Sequence, residues 1–145
     1  MKKFENKVVV ITGGNSGIGY AAAKEFIGEG ATVIITGRRQ EALDKAAQET
    51  GATAILADQA NLQDIKKLAG EVKALKGKVD VLFINAGVAL FAPIEHTTEE
   101  QFDTITDINF KGSFFTLQQF IPLLSDGASV IFLTSNSTAM TMPGS

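Results

Sequence analysis

Two periodicities divide this chain. Short apolar runs at 7–12, 32–36, 53–57, 79–84 and 129–134 carry β-branched residues without regular polar alternation, as strands buried on both faces do. Between them, 18–29, 39–50 and 62–75 show helical spacing, with Leu62, Ile65, Leu68, Val72 and Leu75 near one face of the third. Gly28 and Gly30 close the first helix and Gly51 the second. Residues 98–109 and 111–124 read as one helix or two in succession. Thr97 with Glu100 forms a candidate capping box at its start, and Pro122 is awkward in a helix interior. Phe110, Phe114, Leu117 and Ile121 line one stripe of that stretch.

The βαβαβαβαβ order calls for a parallel sheet covered by helices on both faces. Right-handed crossovers then favour a three-layer, doubly wound α/β (Rossmann) sheet, with five strands in the order 3-2-1-4-5. At 145 residues, the expectation is one nucleotide-binding domain over 1–145. The least regular segment, 86–97, contains Gly87 and Pro93 and is expected over the sheet edge where ligands bind.

Bulk properties narrow the chemistry. A net charge of −3 gives no electrostatic footprint for nucleic acid. There is no cysteine and one histidine, His96, so disulfides, thiolate zinc sites and histidine-rich metal sites are excluded. The first residues are too short and polar for a signal peptide, and no apolar run reaches the length of a membrane span. A soluble cytoplasmic protein is the default expectation.

The densest chemical signal is residues 8–19, where an apolar run ends at Thr12 and passes through Gly13, Asn15, Ser16, Gly17, Ile18 and Gly19 into a helix. Glycines let backbone N–H groups approach a pyrophosphate, and the helix N-terminus adds unpaired donors and a positive dipole end. A tight strand-to-helix turn with Ser16 as N-cap accounts for the same residues without a ligand. At the tip of the second strand, dinucleotide folds often place an acid on the ribose hydroxyls. Here the tip reads Gly37-Arg38-Arg39. Arginine suits a 2′-phosphate, and cations at a helix start are otherwise disfavoured, so these residues favour NADP(H) over NAD(H). Solvated arginines, or pairing with Glu41 or Asp44, are the alternative.

With these residues in place, the chain resembles the short-chain dehydrogenase/reductase family from Lys7 onward. Thr12 to Gly19 matches its Thr-Gly-x-x-x-Gly-x-Gly loop, and Asp58 matches the aspartate that contacts adenine, with Gln59 beside it. Asn85-Ala86-Gly87 matches its Asn-Ala-Gly motif, and Asn109 the asparagine that helps hold a catalytic water. Ser135 matches the catalytic serine, preferred over Ser137 because Pro143 falls where the family places a proline. Each has a plainer reading: Asp58 as a cap for the helix starting near Asn61, Asn85 to Gly87 as a turn, Asn109 as a helix break, Ser135 as a turn hydroxyl.

The resemblance implies hydride transfer between a nicotinamide and a carbonyl or alcohol substrate, with Ser135 holding the substrate oxygen and Asn109 supporting a proton relay. It also implies a tyrosine general acid in Tyr-x-x-x-Lys, which would fall just beyond Ser145; Tyr20 is the only tyrosine present. The expectation is therefore the cofactor-binding half of a reductase, inactive alone, either homo-oligomeric or paired with a missing carboxy-terminal fragment. The apolar strand 129–134 would then form an open edge. Two other readings compete. One is a non-catalytic nucleotide-binding or interaction module on the same scaffold. The other is a methyltransferase using S-adenosylmethionine, which would want an acid where Gly37-Arg38 stands.

Overall fold

The computed structural model describes residues 2–135. Five parallel strands form one sheet in the order β3-β2-β1-β4-β5. They are β1 (Val8–Ile11), β2 (Thr32–Gly37), β3 (Thr53–Leu56), β4 (Val79–Ile84) and β5 (Leu124–Phe132). Helices α1 (Gly17–Gly28), α2 (Gln40–Thr50) and α3 (Leu62–Lys76) connect the first four. The doubly wound expectation holds in both order and direction.

Successive residues of β1 point to opposite faces, and the core divides accordingly. Val10, Ile34 and Leu82 pack with Leu68, Val72, Phe120 and Leu123 on one side. Val9, Ile11, Ile35 and Phe83 pack with Ala23, Leu43 and Ala46 on the other. Both faces of β1 and β4 are buried, which explains the unbroken apolar run of β1 and that of β4, interrupted only at Asp80.

Several boundaries differ from the sequence reading. The capping box of α4 (Glu99–Ile105) is Thr98 with Gln101, not Thr97 with Glu100. Thr97 instead donates its hydroxyl to Pro93 O at 3.1 Å, closing the preceding short turn. The two candidate helices are joined without a break: α4 runs through a π-turn (Thr106–Gly112) into α5 (Ser113–Phe120). Pro122 lies in a short 3₁₀ turn after α5, outside the helix interior. The buried face of this rod is Ile108, Gly112, Thr116 and Phe120, while Phe110, Phe114 and Ile121 are exposed. On α3, Leu62 and Leu75 are likewise exposed, and Ala69 joins the buried face.

β5 begins at Leu124, earlier than the apolar run suggests, with an irregular register opposite Val79 and Val81. Its early start is fixed by Ser125, whose hydroxyl bonds Val79 O at 3.2 Å and Asp80 Oδ1 at 2.9 Å. Asp80 is buried and also accepts from Val8 N at 2.9 Å, with Lys7 and Lys78 beside it at 3.4 and 3.5 Å. This carboxylate ties together the starts of β1, β4 and β5. Ile131 and Phe132 are partly exposed on the outer edge. Among the described residues no helix is long and apolar enough to cross a membrane.

Candidate functional site

The carboxyl ends of β1, β2 and β4 open onto one cleft of about 330 Å³, at the switch point where dinucleotide folds bind ligands. Its floor is the glycine loop after β1. Gly13 has a positive φ of 66°, and a Cβ there would stand 2.9 Å from Ala86 Cα, so only glycine combines that backbone turn with that approach. At Gly19 a Cβ would strike Gly13 O, so close seating of α1 against the loop also requires glycine.

The loop is held by the turn after β4. Thr12 is buried, and its hydroxyl oxygen accepts the N–H groups of Asn85 and Ala86, each at 3.0 Å. Asn85 Nδ2 donates back to Thr12 O at 3.0 Å and Gly13 O at 3.1 Å. Gly14 N donates to Thr36 O at 3.0 Å, anchoring the loop to β2 as well. Asn85 thus spends its amide hydrogens on the loop.

Ser16 occupies the N-cap position of α1 with extended dihedrals, yet its hydroxyl makes no capping bond. Its side chain faces the cleft, so the plain capping reading does not explain it. Gly37 abuts Asn15, whose Oδ1 would lie 2.6 Å from any Cβ there. Arg38 and Arg39 line the same end, and Arg39 takes the N-cap position of α2 without capping it. Neither arginine forms an ion pair among the described residues. Asp44, one suggested partner, accepts instead from Gln40 Nε2 at 2.7 Å.

Asp58 lines the cleft after β3, and its Oδ1 accepts from Ala60 N at 2.9 Å. It does not cap α3. Asn61 does so, accepting from Gln63 N and Asp64 N. Gln59 lines the cleft beside it and turns its amide toward Ala86 and Ile108. Asn109 lies within the π-turn, a helical irregularity that recurs at functional sites. Its amide closes on Val88 in both senses, accepting from Val88 N at 2.9 Å and donating to Val88 O at 2.8 Å. Asn109 therefore fixes the segment that follows Gly87 and breaks no helix.

The structure brings Gly13, Asn15, Ser16, Ile18, Gly37, Arg38, Arg39, Asp58, Gln59, Asn85, Ala86 and Gly87 onto one cleft. Gly17, with a positive φ of 55°, opens α1, and Gly19 seats that helix against the loop. Ser135 is exposed just past β5, close in sequence to Leu133, which lines the cleft. Ser137 and Pro143 lie outside the described residues. Thr36, Ala57, Val88, Ile108 and Leu133 also line the cleft and were missed. Three of these end or follow strands that the sequence already located, which is the signal that could have found them. The only tyrosine, Tyr20, lies on α1 and donates to Glu49 on α2 at 2.9 Å. That bond, with burial and the Glu49 charge, pushes its hydroxyl pKa up.

Comparison with known proteins agrees with this geometry. The family model described as short chain dehydrogenase matches residues 7–145. Oxidoreductase asL5 of Sarocladium schorii is 42% identical over 144 residues, covering 97% of this chain and 58% of that protein. The NADP-dependent (R)-specific alcohol dehydrogenase of Lentilactobacillus kefiri is 34% identical, covering 92% and 56% respectively. Among solved structures, a short-chain dehydrogenase/reductase described as glucose/ribitol dehydrogenase, from Brucella melitensis, superposes with a TM-score of 0.91 at 30% identity, covering 96% of this chain and 61% of that one. The chain thus spans little more than half the length of these relatives. With the matched family model running from Lys7 onward and the glycine loop, Asn85 turn and sheet order all in register, the chain belongs to the short-chain dehydrogenase family.

Proposed function

We propose that the cleft binds NADP(H) and that the protein is an oxidoreductase moving hydride between the nicotinamide and a small carbonyl or alcohol substrate. The observation that carries this reading is the β2 tip: two arginines without ion-pair partners among the described residues, beside Gly37, at the end of a cleft floored by a glycine loop. The residues fit the group. Glycine at 13, 14 and 19 lets the loop pack directly on Ala86, Ile35 and its own carbonyl, Ser16 makes no side-chain capping bond to the helix, and α1 presents its N-terminus. Gly13, Asn15, Ser16, Gly17, Ile18 and Gly19 would hold the pyrophosphate. Gly37, Arg38 and Arg39 would hold the 2′-phosphate, Asp58 would border the adenine with only the backbone of Gln59 beside it, since the Gln59 side chain turns to Ala86 and Ile108, and Asn85, Ala86 and Gly87 would flank the nicotinamide ribose. The name of the Lentilactobacillus relative, which states NADP dependence, supports the choice.

The bound nicotinamide supplies the hydride chemistry. Ser135 hydrogen-bonds the substrate oxygen, and Asn109 steadies the wall behind it. The proton must come from a group that titrates near working pH. Tyr20 fails on both counts: it lies away from the cleft, and its pKa is raised. The 145 residues alone are therefore proposed to bind cofactor as one domain without efficient turnover, a loss of about 10²–10⁴-fold for want of a general acid. We further propose a cytoplasmic protein that works as a homo-oligomer or with a carboxy-terminal complement.

Calorimetric titration of the chain with NADPH and NADH tests the reading. NADPH is expected to bind more tightly, and Arg38→Glu is expected to abolish that preference. Equal affinity for both nucleotides, or an unchanged preference in the variant, would overturn the selectivity. Absence of binding by either nucleotide would favour a scaffold without nucleotide function.

A further inference from the structure

Gln59 is 8% exposed, and its carboxamide nitrogen faces three acceptors. They are Ile108 O at 3.0 Å, Ala86 O at 3.1 Å and Ser113 Oγ at 3.3 Å. Its carboxamide oxygen is buried and has no partner among the described residues. Turning the amide over would set that oxygen against two carbonyl oxygens, so the surroundings demand the donor end. A buried amide tolerated with its acceptor unpaired is one retained for its donors.

The three acceptors belong to segments that no strand ladder joins. Ala86 follows β4, Ile108 sits in the π-turn, and Ser113 opens α5. The bonds form a closed circuit. Ser113 Oγ donates to Asn109 O at 2.8 Å, and the Asn109 amide grips Val88 N and O. Val88 leads back through Gly87 to Ala86 and so to Gln59. The π-turn shifts helix carbonyls out of their usual pairing, and Ile108 O finds its donor on Gln59. Gly112 admits this arrangement, because a Cβ there would collide with Gln59 O.

We propose that Gln59 is a positioning residue, whose two amide hydrogens hold the Ala86 turn against the π-turn and thereby set Val88 and Asn109 on the nicotinamide side of the cleft. The proposal rests on the cofactor reading above for the meaning of that side, and on the bond circuit alone for the positioning. Gln59 adjoins Asp58, yet its side chain serves the opposite half of the site.

Two variants and two readouts test this on the 145-residue chain. Gln59→Met keeps the length of the side chain and removes both donors together with the unpaired oxygen, so the fold is retained. Gln59→Glu cannot donate when ionised and would set a carboxylate against the two carbonyls. Without ligand, hydrogen exchange at the Val88 amide is expected to accelerate at least about tenfold in both variants, while β1 and β2 amides are unchanged. By calorimetry, NADPH affinity is expected to fall at least about tenfold, while 2′,5′-ADP, which carries only the adenosine end, stays within about twofold. Unchanged Val88 exchange would overturn the proposal. So would parallel losses for both ligands with faster exchange throughout the sheet, which mark general destabilisation. If neither ligand binds the unsubstituted chain, the cofactor reading fails, and the exchange result still decides the role of Gln59.

Discussion

Replacing Thr12 with valine isolates the junction on which the glycine loop depends. Thr12 is 2% exposed, and its hydroxyl oxygen accepts two N–H groups, from Asn85 and Ala86, at 3.0 Å each. Valine has nearly the same shape but presents a methyl group to both. Each orphaned donor costs about 1–3 kcal/mol. Water entering from the adjoining cleft recovers part of this, so the expected loss is about 2–4 kcal/mol. Thr12→Ser keeps the acceptor and loses one methyl group, an expected cost of about 0.5–1.5 kcal/mol. Urea unfolding of the three proteins, compared at constant m, reads the difference directly as a shift in midpoint. The valine variant should also lose NADPH affinity by about tenfold, because the bonded Asn85 turn is what seats the loop carbonyls. A valine variant as stable as the serine variant would refute the claim that this hydroxyl joins the two strand tips.

Acid should act first at the other end of the sheet. Burial alone pushes the Asp80 carboxyl up, but the Val8 amide, the Ser125 hydroxyl, Lys7 and Lys78 outweigh it and hold the group at about 2 against an ordinary 3.8. A folded-state value below the unfolded one gives stability that is complete above 3.8 and is lost as pH falls through about 2, worth roughly 2 kcal/mol. Asp80→Asn should flatten the acid limb of the stability curve, and parallel limbs would contradict this. Gly37→Asp places a carboxylate where a Cβ already meets Asn15 Oδ1 at 2.6 Å; the ratio of NADPH to NADH affinity should fall by at least about tenfold in paired titrations. Gly112→Ala drives a methyl group into Gln59 O and should destabilise by about 1–3 kcal/mol in thermal unfolding, whereas the same change at Gly70, which has open space, should not.

Local chemistry made much of this legible. A short apolar β-branched run bounded by glycines fits a strand covered on both faces, and glycines at 13 and 19 announce a loop that side chains would block. Tertiary chemistry was less visible. Thr97 and Thr98 are both competent caps, with Glu100 and Gln101 both competent partners, and only the bond of Thr97 to Pro93 O decides between them. The π-turn has no local signature at all. It packs Gly112 closely against Gln59 O, residues far apart in the chain. Motif matching located Asn85 and Asn109 but not what their amides do. Both are spent on backbone groups of this chain, a division of labour that spacing does not reveal. Asp126-Gly127 has the composition of a turn ahead of a strand, yet Ser125 draws that segment into β5.

The two ends of the sheet are secured by different chemistry, and the difference suits what each must do. At the amino end, one buried carboxylate draws in two lysines, a hydroxyl and an amide, a strong clamp built around an ionised group. At the carboxyl end, the glycine loop, the Asn85 turn and the π-turn are joined through Thr12, Asn85, Gln59, Asn109 and Ser113, none of which ionises near neutral pH. A carboxylate directly behind the glycine loop, unlike Asp58 at the adenine end, would oppose a diphosphate across a short distance in a partly desolvated cleft, where like charges are least screened. Neutral amides and hydroxyls instead satisfy the carbonyls behind the loop and leave the positive end of α1 unopposed. It also follows that lowering the pH below about 4 should weaken the fold through Asp80 while leaving the loop geometry intact. Cofactor affinity and global stability should therefore separate as the pH is lowered.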